Sequence, residues 1–460
     1  MIIELDNRKI RVEPSDWRWS ATIVGLVKYF DFHSIKYDKS DDYIEFDSKE
    51  IDDVKYLMFA EEHFKDSMHH KFVEDIIKVN KPSEEQIKLV NDKLSKNTSS
   101  NTIMLKLFKG KKYDGTNSQE IESIIDENRL ELIKLTYKGG RSLYYNFCNE
   151  NNLLAEKGKS CRLRGYSNDM GKKSKSVSYM RDKNTFVYED SKLFDFIPFA
   201  FSKTNSKIRE AFFVNNNFTI DQLLKTNKND SIKEDFTARS KLFFKVKDSS
   251  SFIDYDVEVI KKEREKDYFE SIYIRKDAIK IFEIIRNETL EILTKPCNIK
   301  RSDKGQDIWL NIEKKVIDCI LNFLKLDDVI DQLLKGFNNH KFLIKNLIEI
   351  NKFIYGGDSN MNEKQKRAYG AAMEAKGVLK GKENKIRAYE QRLISAITLK
   401  DYDRVQEILL HLSAFTQVKM DFLIDVFEDF EANKNLAYTF INVFGEKKKK
   451  ENTEGDKNAK

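Results

Sequence analysis

The sequence predicts an α+β fold over the N-terminal and middle regions, followed by an all-α C-terminal helical bundle. The chain of 460 residues contains only four prolines and seventeen glycines, a composition that favours helices over turn-rich β architecture. Strand-like runs occur before about residue 290. From Ile308 onward, apolar residues recur at helical spacing and no convincing strand remains.

The first predicted element is a buried helix that begins after Pro14. Ser15 or Asp16 can cap its N-terminus, and an apolar run from Trp17 to Phe30 follows. Gly25 lies inside this run, where glycine is about 1 kcal/mol less favourable than alanine. We therefore expect another backbone to pack closely against Gly25.

Short elements follow up to about residue 135. Residues 43–46 read as a strand, and helical patterns cover 50–64, 67–80, 84–95 and 118–135, with an apolar stretch at 103–108. His69 and His70 are adjacent, so they point to different faces of a helix and cannot act as an i,i+4 metal pair. We expect both to lie at the surface.

The middle region is also predicted to be α+β. The aromatic run Phe194–Phe201 contains Pro198, which favours an edge strand or an extended turn. Further strands are predicted at 242–246, 255–260 and 268–274, and a helix at 276–285.

The C-terminal part is predicted to be helical throughout. Trp309, Ile312 and Val316 begin one apolar helical stripe, and helices follow at 327–335 and 340–354. A glycine-rich linker at 356–360 precedes a four- or five-helix bundle. The predicted divisions of the chain are 1–137 (N-terminal α+β region), 138–183 (basic segment), 184–307 (middle α+β region), 308–355 (connecting helices), 356–446 (bundle) and 447–460 (disordered tail).

Charge is concentrated in two places. Between Lys138 and Lys183, eleven Lys or Arg stand against four Asp or Glu, although the whole chain carries only +6. In the bundle, residues 361–400 carry ten basic against four acidic side chains, and residues 401–446 carry three against nine. Cations interleaved with aromatic residues and glycines are typical of a nucleic-acid contact. A solvated loop in a lysine-rich protein is the alternative.

The four cysteines indicate no disulfide framework, because they are few and irregularly spaced. Cys148 and Cys161 each read as half of a CxxC motif, which is too little for a four-ligand zinc site, so we predict no metal and no cofactor. No secretion signal or membrane span is evident, which favours a cytoplasmic protein.

Motifs of common enzymes are absent: the chain has no HExxH, GxSxG or GxGxxG sequence. We therefore expect a protein without catalytic activity. Two rival readings stay open: a nucleic-acid-processing enzyme with a carboxylate metal site that sequence does not reveal, and a helical scaffold that binds only proteins.

The chain resembles the large subunit of the type I-B CRISPR interference complex, Cascade, a family known for paired CXXC motifs. The stretches that carry the resemblance, in the expected order along nearly the whole chain, are Asp16–Leu26, the region around Cys148 and Cys161, Phe196–Phe201, Tyr268–Ala278, and Asn384–Leu393 through Ala437–Phe440. The single cysteines depart from the family's pattern. We expect that the zinc ribbon of relatives is lost here, and its fold could persist only if packing replaces the metal.

The resemblance implies a non-catalytic subunit that binds the 5′ end of a guide RNA and recognises a short protospacer-adjacent motif in double-stranded target DNA. It also implies backbone and small subunits as partners, and a helicase-nuclease recruited in trans. The C-terminal bundle resembles the small subunit, which related systems also make from an internal start codon; Met361 and Met373 are the candidates here.

Two groups of residues are predicted to contact nucleic acid, because base pairing with a guide would leave the protein to read a few base edges and much backbone. The first group, for the DNA flank or the RNA handle, comprises Lys138, Arg141, Tyr144, Asn146, Arg162, Arg164, Asn168, Lys172, Lys173 and Lys175. The second, for a displaced or backbone-held strand, comprises Lys385, Arg387 and Arg392.

Overall fold

The chain divides into an N-terminal unit, Met1–Lys276, and a C-terminal unit, Asp277–Lys460. The structure is a computed structural model. It describes residues 1–5, 8–79, 81–95, 102–156, 161–164, 169–170, 175–176, 191–204, 209–228, 242, 246–247, 253, 255–264, 266–293, 295, 297–299, 308–336, 340–354 and 359–445. The predicted tail lies outside these residues, and the finer divisions within each unit stay predictions.

The predicted α+β and all-α regions are confirmed. The helices of the N-terminal unit are Trp17–His33, Asp53–His63, His69–Ile77, Glu84–Leu94, Thr102–Phe108, Ser118–Glu127, Arg129–Gly139, Tyr144–Phe147 and Ile220–Thr226, and a helix at Lys276–Ile284 begins at its last residue. Short 3₁₀ helices cover Ser48–Glu50, Lys65–Ser67, Glu150–Asn152 and Lys192–Phe199.

Two antiparallel sheets accompany these helices. The first has the strand order Ile2–Glu4, Lys9–Val12, Ile44–Asp47 and Asp38–Lys39. The second has the order Glu210–Asn215, Val257–Glu263 and Phe269–Ile274. The strands predicted near 43–46, 255–260 and 268–274 are thus confirmed. Most of the strand predicted at 242–246 lies outside the described residues, and its described ends are helical.

The helix Trp17–His33 forms as its sequence predicts. The Asp16 carboxylate accepts hydrogen bonds from the backbone N–H groups of Arg18 and Trp19, at 2.8 and 3.3 Å. The close approach expected at Gly25 is also present, because a Cβ placed there would lie 2.1 Å from the carbonyl oxygen of Phe196. The helix therefore crosses directly over the segment Lys192–Phe199.

The segment Lys192–Phe199 corrects one prediction, because it is a 3₁₀ helix and not an edge strand or an extended turn. Ser191 caps it by accepting a hydrogen bond from the Leu193 N–H at 3.2 Å. All residues from Leu193 to Phe199 are buried. An edge strand would leave its unpaired backbone N–H and C=O groups exposed to solvent. The 3₁₀ helix instead buries every side chain from Leu193 to Phe199.

His70 corrects a second prediction, since it is fully buried rather than exposed. Its Nε2 lies 2.9 Å from Glu61 Oε1, and Arg129 Nη1 lies 2.8 Å from the same oxygen. The helix predicted over 118–135 is divided at Asn128, whose side chain donates to the Ile124 carbonyl at 2.9 Å.

The C-terminal unit also contains a strand pair that the sequence did not predict. Cys297–Ile299 pairs antiparallel with Ile308–Leu310, which brings Trp309 opposite Asn298. Trp309 is therefore 68% exposed on a strand and does not begin a helical stripe. The strand Ile308–Leu310 pairs with residues about ten positions earlier in the chain, a contact that the local pattern of apolar residues does not reveal.

The predicted C-terminal helical bundle is confirmed, and it has five helices among the described residues. The unit's helices continue from Lys276–Ile284 through Asn287–Leu293, Ile312–Leu321, Asp327–Leu334 and Lys341–Ile354 to the bundle helices Ser359–Val378, Glu383–Thr398, Tyr402–Thr416, Phe422–Glu428 and Phe430–Phe444. The last helix is enclosed on most sides, with Leu436, Phe440 and Phe444 at zero exposure. Among the described residues, no helix combines the length and apolarity needed to cross a bilayer.

Candidate nucleic-acid interface

A buried ion pair joins the basic segment to the 3₁₀ helix. Arg162 Nη1 lies 2.7 Å from Asp195 Oδ1, and both side chains are almost completely buried. The guanidinium also donates to the carbonyls of Asn152 and Ala155, at 2.5 and 2.6 Å. Arg162 therefore links this part of the basic segment to the 3₁₀ helix from inside the protein, with its charge and both terminal nitrogens bound to protein groups. We call the Arg162–Asp195 pair the internal brace.

Asp195 accepts further hydrogen bonds from Tyr144 Oη at 2.6 Å and from the Leu154 N–H at 2.8 Å. Burial raises the pKa of Asp195, while the Arg162 guanidinium and the Tyr144 hydroxyl oppose that rise. A buried carboxylate is stable only when it is paired and hydrogen-bonded in this way.

Three residues predicted to contact nucleic acid have their side chains in the core of the N-terminal unit. Arg162 has no exposed surface, Tyr144 has none, and Asn146 is 3% exposed. The physical reason for Arg162 and Tyr144 is Asp195, which needs cationic and hydroxyl donors once it is buried. Asn146 lies on the helix Tyr144–Phe147, which packs onto the aromatic core.

The two half-motif cysteines lie on paired backbone beside this brace. Cys148 forms a β-bridge with Leu163, and the Asn149 N–H donates to the Arg162 carbonyl at 2.9 Å. Both thiols are buried and form no disulfide, and burial raises the pKa of Cys148 well above its usual range. Across the described residues, no group of three or more metal-ligating side chains comes together.

The outer part of the basic segment is partly accessible. The Arg164 guanidinium lies 4.0 Å from the Tyr145 ring centroid, and its Nη2 lies 2.7 Å from Asp267 Oδ1. Lys138 is half-buried and Arg141 is exposed. The Arg164 side chain is only 18% exposed, whereas that of Asp267 is 59% exposed. Arg164 Nη1 also donates to the Tyr145 carbonyl oxygen at 3.0 Å, so this guanidinium lies at the edge of the accessible surface.

Four further residues of this segment are predicted to contact nucleic acid. Asn168, Lys172 and Lys173 lie outside the described residues. Lys175 lies in a two-residue strand that pairs with Asp169–Met170. The nucleic-acid contacts predicted for these four residues stay predictions.

The bundle presents its predicted cations differently, because Lys385, Arg387 and Arg392 are all exposed. Lys385 Nζ lies 4.4 Å from the Phe415 ring centroid, and the Arg392 guanidinium lies 6.0 Å from that of Tyr389. Within the described part of the chain, none of the three cations has a carboxylate oxygen within 4.0 Å.

Two neighbouring helices, Glu383–Thr398 and Tyr402–Thr416, build this surface together. Tyr389 Oη lies 2.9 Å from His411 Nδ1, and Phe415 keeps 43% of its surface exposed. We call Lys385, Tyr389, Arg392, His411 and Phe415 the cation–aromatic surface. Exposed cations attract phosphates, and an exposed ring can stack a base for about 1–3 kcal/mol.

The sequence reasoning missed His411 and Phe415 because they come from a second helix. Phe415 lies off the buried face of the helix Tyr402–Thr416. A large aromatic residue outside the buried face of a helix indicates an exposed ring. Asp195 was missed as well, although an acidic residue inside the apolar run Phe194–Phe201 is a stronger signal of a buried charged partner.

Comparison with known protein families identifies the family of this chain. A sequence model of one CRISPR-associated family matches residues 9–241 and 224–444, which together cover most of the sequence. That model describes CRISPR-associated protein Csx8, and the chain belongs to this family. No match was found among curated proteins or among solved structures. The resemblance drawn from the sequence is thus confirmed as far as a CRISPR-associated family.

Proposed function

We propose that this protein is the non-catalytic large subunit of a type I-B CRISPR RNA-guided complex that acts in the cytoplasm. In this role it contacts the 5′ end of the guide RNA, recognises the protospacer-adjacent motif in double-stranded DNA, assembles with backbone and small subunits, and helps recruit a helicase-nuclease. Membership of a CRISPR-associated family supports the general role.

The observation that carries the proposal is the cation–aromatic surface of the bundle. Its cations are exposed, and exposed rings from a second helix lie beside them. In RNA-guided recognition, base pairing reads sequence while the protein holds backbone and displaced single strand. Cations beside aromatic rings suit that task, because stacking tolerates any base.

The N-terminal unit supplies a second candidate contact. Lys138, Arg141 and Arg164 are the cations of the basic segment with accessible side chains among the described residues. We assign the reading of the DNA flank or the RNA handle to these three, together with Asn168, Lys172, Lys173 and Lys175. Arg162 has a structural role in this proposal.

A separately made small-subunit product would fit the structure best if it began at Met361. That start retains nearly the whole first bundle helix, Ser359–Val378. A start at Met373 removes most of that helix and the apolar contacts of Ala368 and Ala372, both of which are fully buried.

The test is a pair of charge reversals, Lys385→Glu with Arg392→Glu, in the complex assembled with a guide RNA. Removing two phosphate contacts to a single strand should lower the slope of log affinity against log salt by about 1.4. Binding to target DNA should weaken most at low salt. Circular dichroism and thermal unfolding should stay unchanged, since both side chains are exposed.

The matched control is Arg404→Glu with Lys419→Glu, which changes the net charge equally. Both side chains are exposed, at 51% and 86%, and each lies beside an acidic residue. Equal losses in the two double variants would show a general charge effect, and unchanged binding in the first would contradict the proposal. A second arm incubates the complex with target DNA and Mg²⁺ without helicase-nuclease; cleavage there would contradict a non-catalytic role.

A further inference from the structure

Arg387 lies on the opposite side of its helix from the cation–aromatic surface. Lys385 and Arg392 are seven residues apart, nearly two turns, so they share one face of the helix Glu383–Thr398. Arg387 follows Lys385 by two residues, which is a rotation of about 200° around the helix axis. It lines a cavity of about 660 Å³ instead. The three cations predicted to contact one strand therefore belong to two regions of the C-terminal unit.

The cavity lies between three helices of this unit, Asp327–Leu334, Lys341–Ile354 and Glu383–Thr398, beside Gly445 at the end of the last helix. Its volume is within the size range of small-molecule sites in proteins, roughly 300–1,000 Å³. The wall contributed by Glu383–Thr398 is one continuous face of that helix, formed by Arg387, Gln391, Ile394 and Thr398. No described residue of the cation–aromatic surface lines the cavity.

Two cations of the cavity wall are left without an acidic partner. Arg387 and Lys335 both line the cavity and are exposed, and neither forms an ion pair with a described Asp or Glu. Of the described lining residues one is acidic, Glu390, which follows Arg387 by three positions and could pair with it. Glu390 Oε1 lies 2.6 Å from Lys341 Nζ instead, and these two side chains are only 18% and 17% exposed. The wall therefore carries two uncompensated positive charges.

His340 also lines the cavity, but both of its ring nitrogens contact the strand Cys297–Ile299. Its Nε2 lies 2.9 Å from the Asn298 carbonyl oxygen, which can only accept, so Nε2 carries a proton. Its Nδ1 lies 3.9 Å from Cys297 Sγ. The imidazole thus holds the strand, and a ligand would be bound by the two free cations.

Neutral side chains complete the wall. Ser395 and Gln391 are exposed lining residues that can donate hydrogen bonds. Ile344 is buried in the wall, and Leu399 lines the cavity with 73% of its surface exposed. Cations, neutral donors and apolar groups in one cavity suit a ligand that has an anionic group and an organic body.

We propose that this cavity binds a phosphate group, held by the Arg387 guanidinium and the Lys335 ammonium, with the organic part of the ligand against Leu399. A guanidinium fits a phosphate because its N–H groups can donate in parallel to two oxygens. The negative charge of the phosphate also compensates the two cations. The phosphate can belong to a free nucleotide or to the backbone of a strand, and the experiment separates these sources. Because the site lies apart from the cation–aromatic surface, it does not depend on the proposed function.

The test titrates the full chain by isothermal titration calorimetry with four probes: thymidine 5′-monophosphate, thymidine, inorganic phosphate, and a thymidine oligonucleotide without terminal phosphates. We expect a phosphate-bearing probe to bind and thymidine, which has no phosphate, not to bind. The variant Arg387→Gln should weaken that binding about tenfold, the loss expected for a hydrogen bond between charged groups. Lys335→Gln is a second variant and should cause a similar loss.

Arg404→Gln is the matched control. Arg404 is an exposed arginine on the neighbouring helix Tyr402–Thr416, beside Glu407 and outside the cavity, so its loss should leave probe binding as in the wild type. Thermal unfolding of all three variants should match the wild type, since each truncated side chain is exposed.

The pattern of probes identifies the source of the phosphate. Binding of thymidine 5′-monophosphate that Arg387→Gln weakens shows a site for a free phosphate ester. Binding of the oligonucleotide that Arg387→Gln weakens, with the monophosphate unbound, shows a site for a backbone phosphate. Either pattern supports the inference.

Four outcomes overturn it: no phosphate-bearing probe binds, thymidine binds as tightly as its monophosphate, Arg387→Gln and Lys335→Gln bind as the wild type does, or Arg404→Gln loses as much affinity as Arg387→Gln. Loss of monophosphate binding in Lys385→Glu with Arg392→Glu, while Arg387→Gln binds normally, would place the phosphate at the cation–aromatic surface and would also overturn it.

Discussion

The basic segment of the N-terminal unit and residues 361–400 of the bundle are both rich in Lys and Arg. The structure buries an arginine in the basic segment but leaves the predicted cations of the bundle exposed. Arg162 is fully buried against Asp195, whereas Lys385 and Arg392 are exposed beside aromatic rings. The difference shows that a run of positive charge does not by itself identify a ligand surface. The presence of a buried carboxylate decides whether a cation holds the fold or faces solvent.

Arg129 is a second cation of the N-terminal unit that pairs with carboxylates of the protein itself. It lies between Glu61, Glu74 and Asp126, with Nη1 2.8 Å from Glu61 Oε1. Glu61 and Glu74 are themselves buried. Among the described residues of the N-terminal unit, buried carboxylates thus pair with an arginine at both places.

The largest effect is expected for Arg162→Met. Removing one partner leaves Asp195 buried without its cation, which destabilises proteins by about 3–5 kcal/mol. Lys385→Met is the matched control and should change the free energy of unfolding by less than about 1 kcal/mol, since it loses only an exposed cation–π contact. Urea unfolding measures both.

Adding Asp195→Asn to Arg162→Met should recover part of the loss, because the buried charge is then removed. If Arg162→Met and Lys385→Met destabilise the protein equally, the comparison between the two regions is wrong.

The next effect concerns Glu61 and depends on pH. Burial raises the pKa of Glu61, but the hydrogen bond from His70 and the charges of Lys71 and Arg129 outweigh it and bring the pKa to about 2, below its usual 4.5. A lowered native pKa stabilises the fold above pH 4.5, and this contribution is lost as the pH falls towards 2.

Glu61→Gln should therefore be less stable than the wild type by about 2–3 kcal/mol at pH 7. The gap should narrow steadily as the pH is lowered from 5 towards 2. Urea unfolding at a series of pH values checks this, and the exposed Glu383→Gln is the control. A gap that stays constant with pH would show that Glu61 acts through packing and not through charge.

The smallest effect compares two helical glycines, one in each unit. Gly25→Ala places a methyl group 2.1 Å from the Phe196 carbonyl oxygen, an overlap that should cost about 1–3 kcal/mol. Gly370→Ala meets nothing within 4 Å and should stabilise its helix by about 0.5–1 kcal/mol. Thermal unfolding should show shifts of opposite sign, and shifts of the same sign would rule out the direct helix crossing at Gly25.

Structural features that depend on residues close together along the chain could be predicted from the sequence. The Asp16 cap, the helix after it and the helices of the bundle follow from side chains within a few positions of each other. On the helix Glu383–Thr398, the buried residues Tyr389, Leu393 and Ile397 recur at helical spacing, and Lys385 and Arg392 are exposed.

Errors arose where the partner is distant along the chain. The 3₁₀ helix Lys192–Phe199 depends on the helix that contains Gly25, and the strand Ile308–Leu310 depends on Cys297–Ile299. Burial of His70 depends on Glu61. In each case the local pattern was compatible with several structures, and a tertiary contact selected one.

The sequence by itself determined the division into an α+β region and a helical bundle, the membership of a CRISPR-associated family, and the places where positive charge accumulates. Only the tertiary structure decided which cations are enclosed and which are accessible, and it alone brought Arg162 to Asp195. The physical reason is that helical periodicity and charge are local properties of the chain, whereas desolvation of a side chain depends on every residue that packs around it.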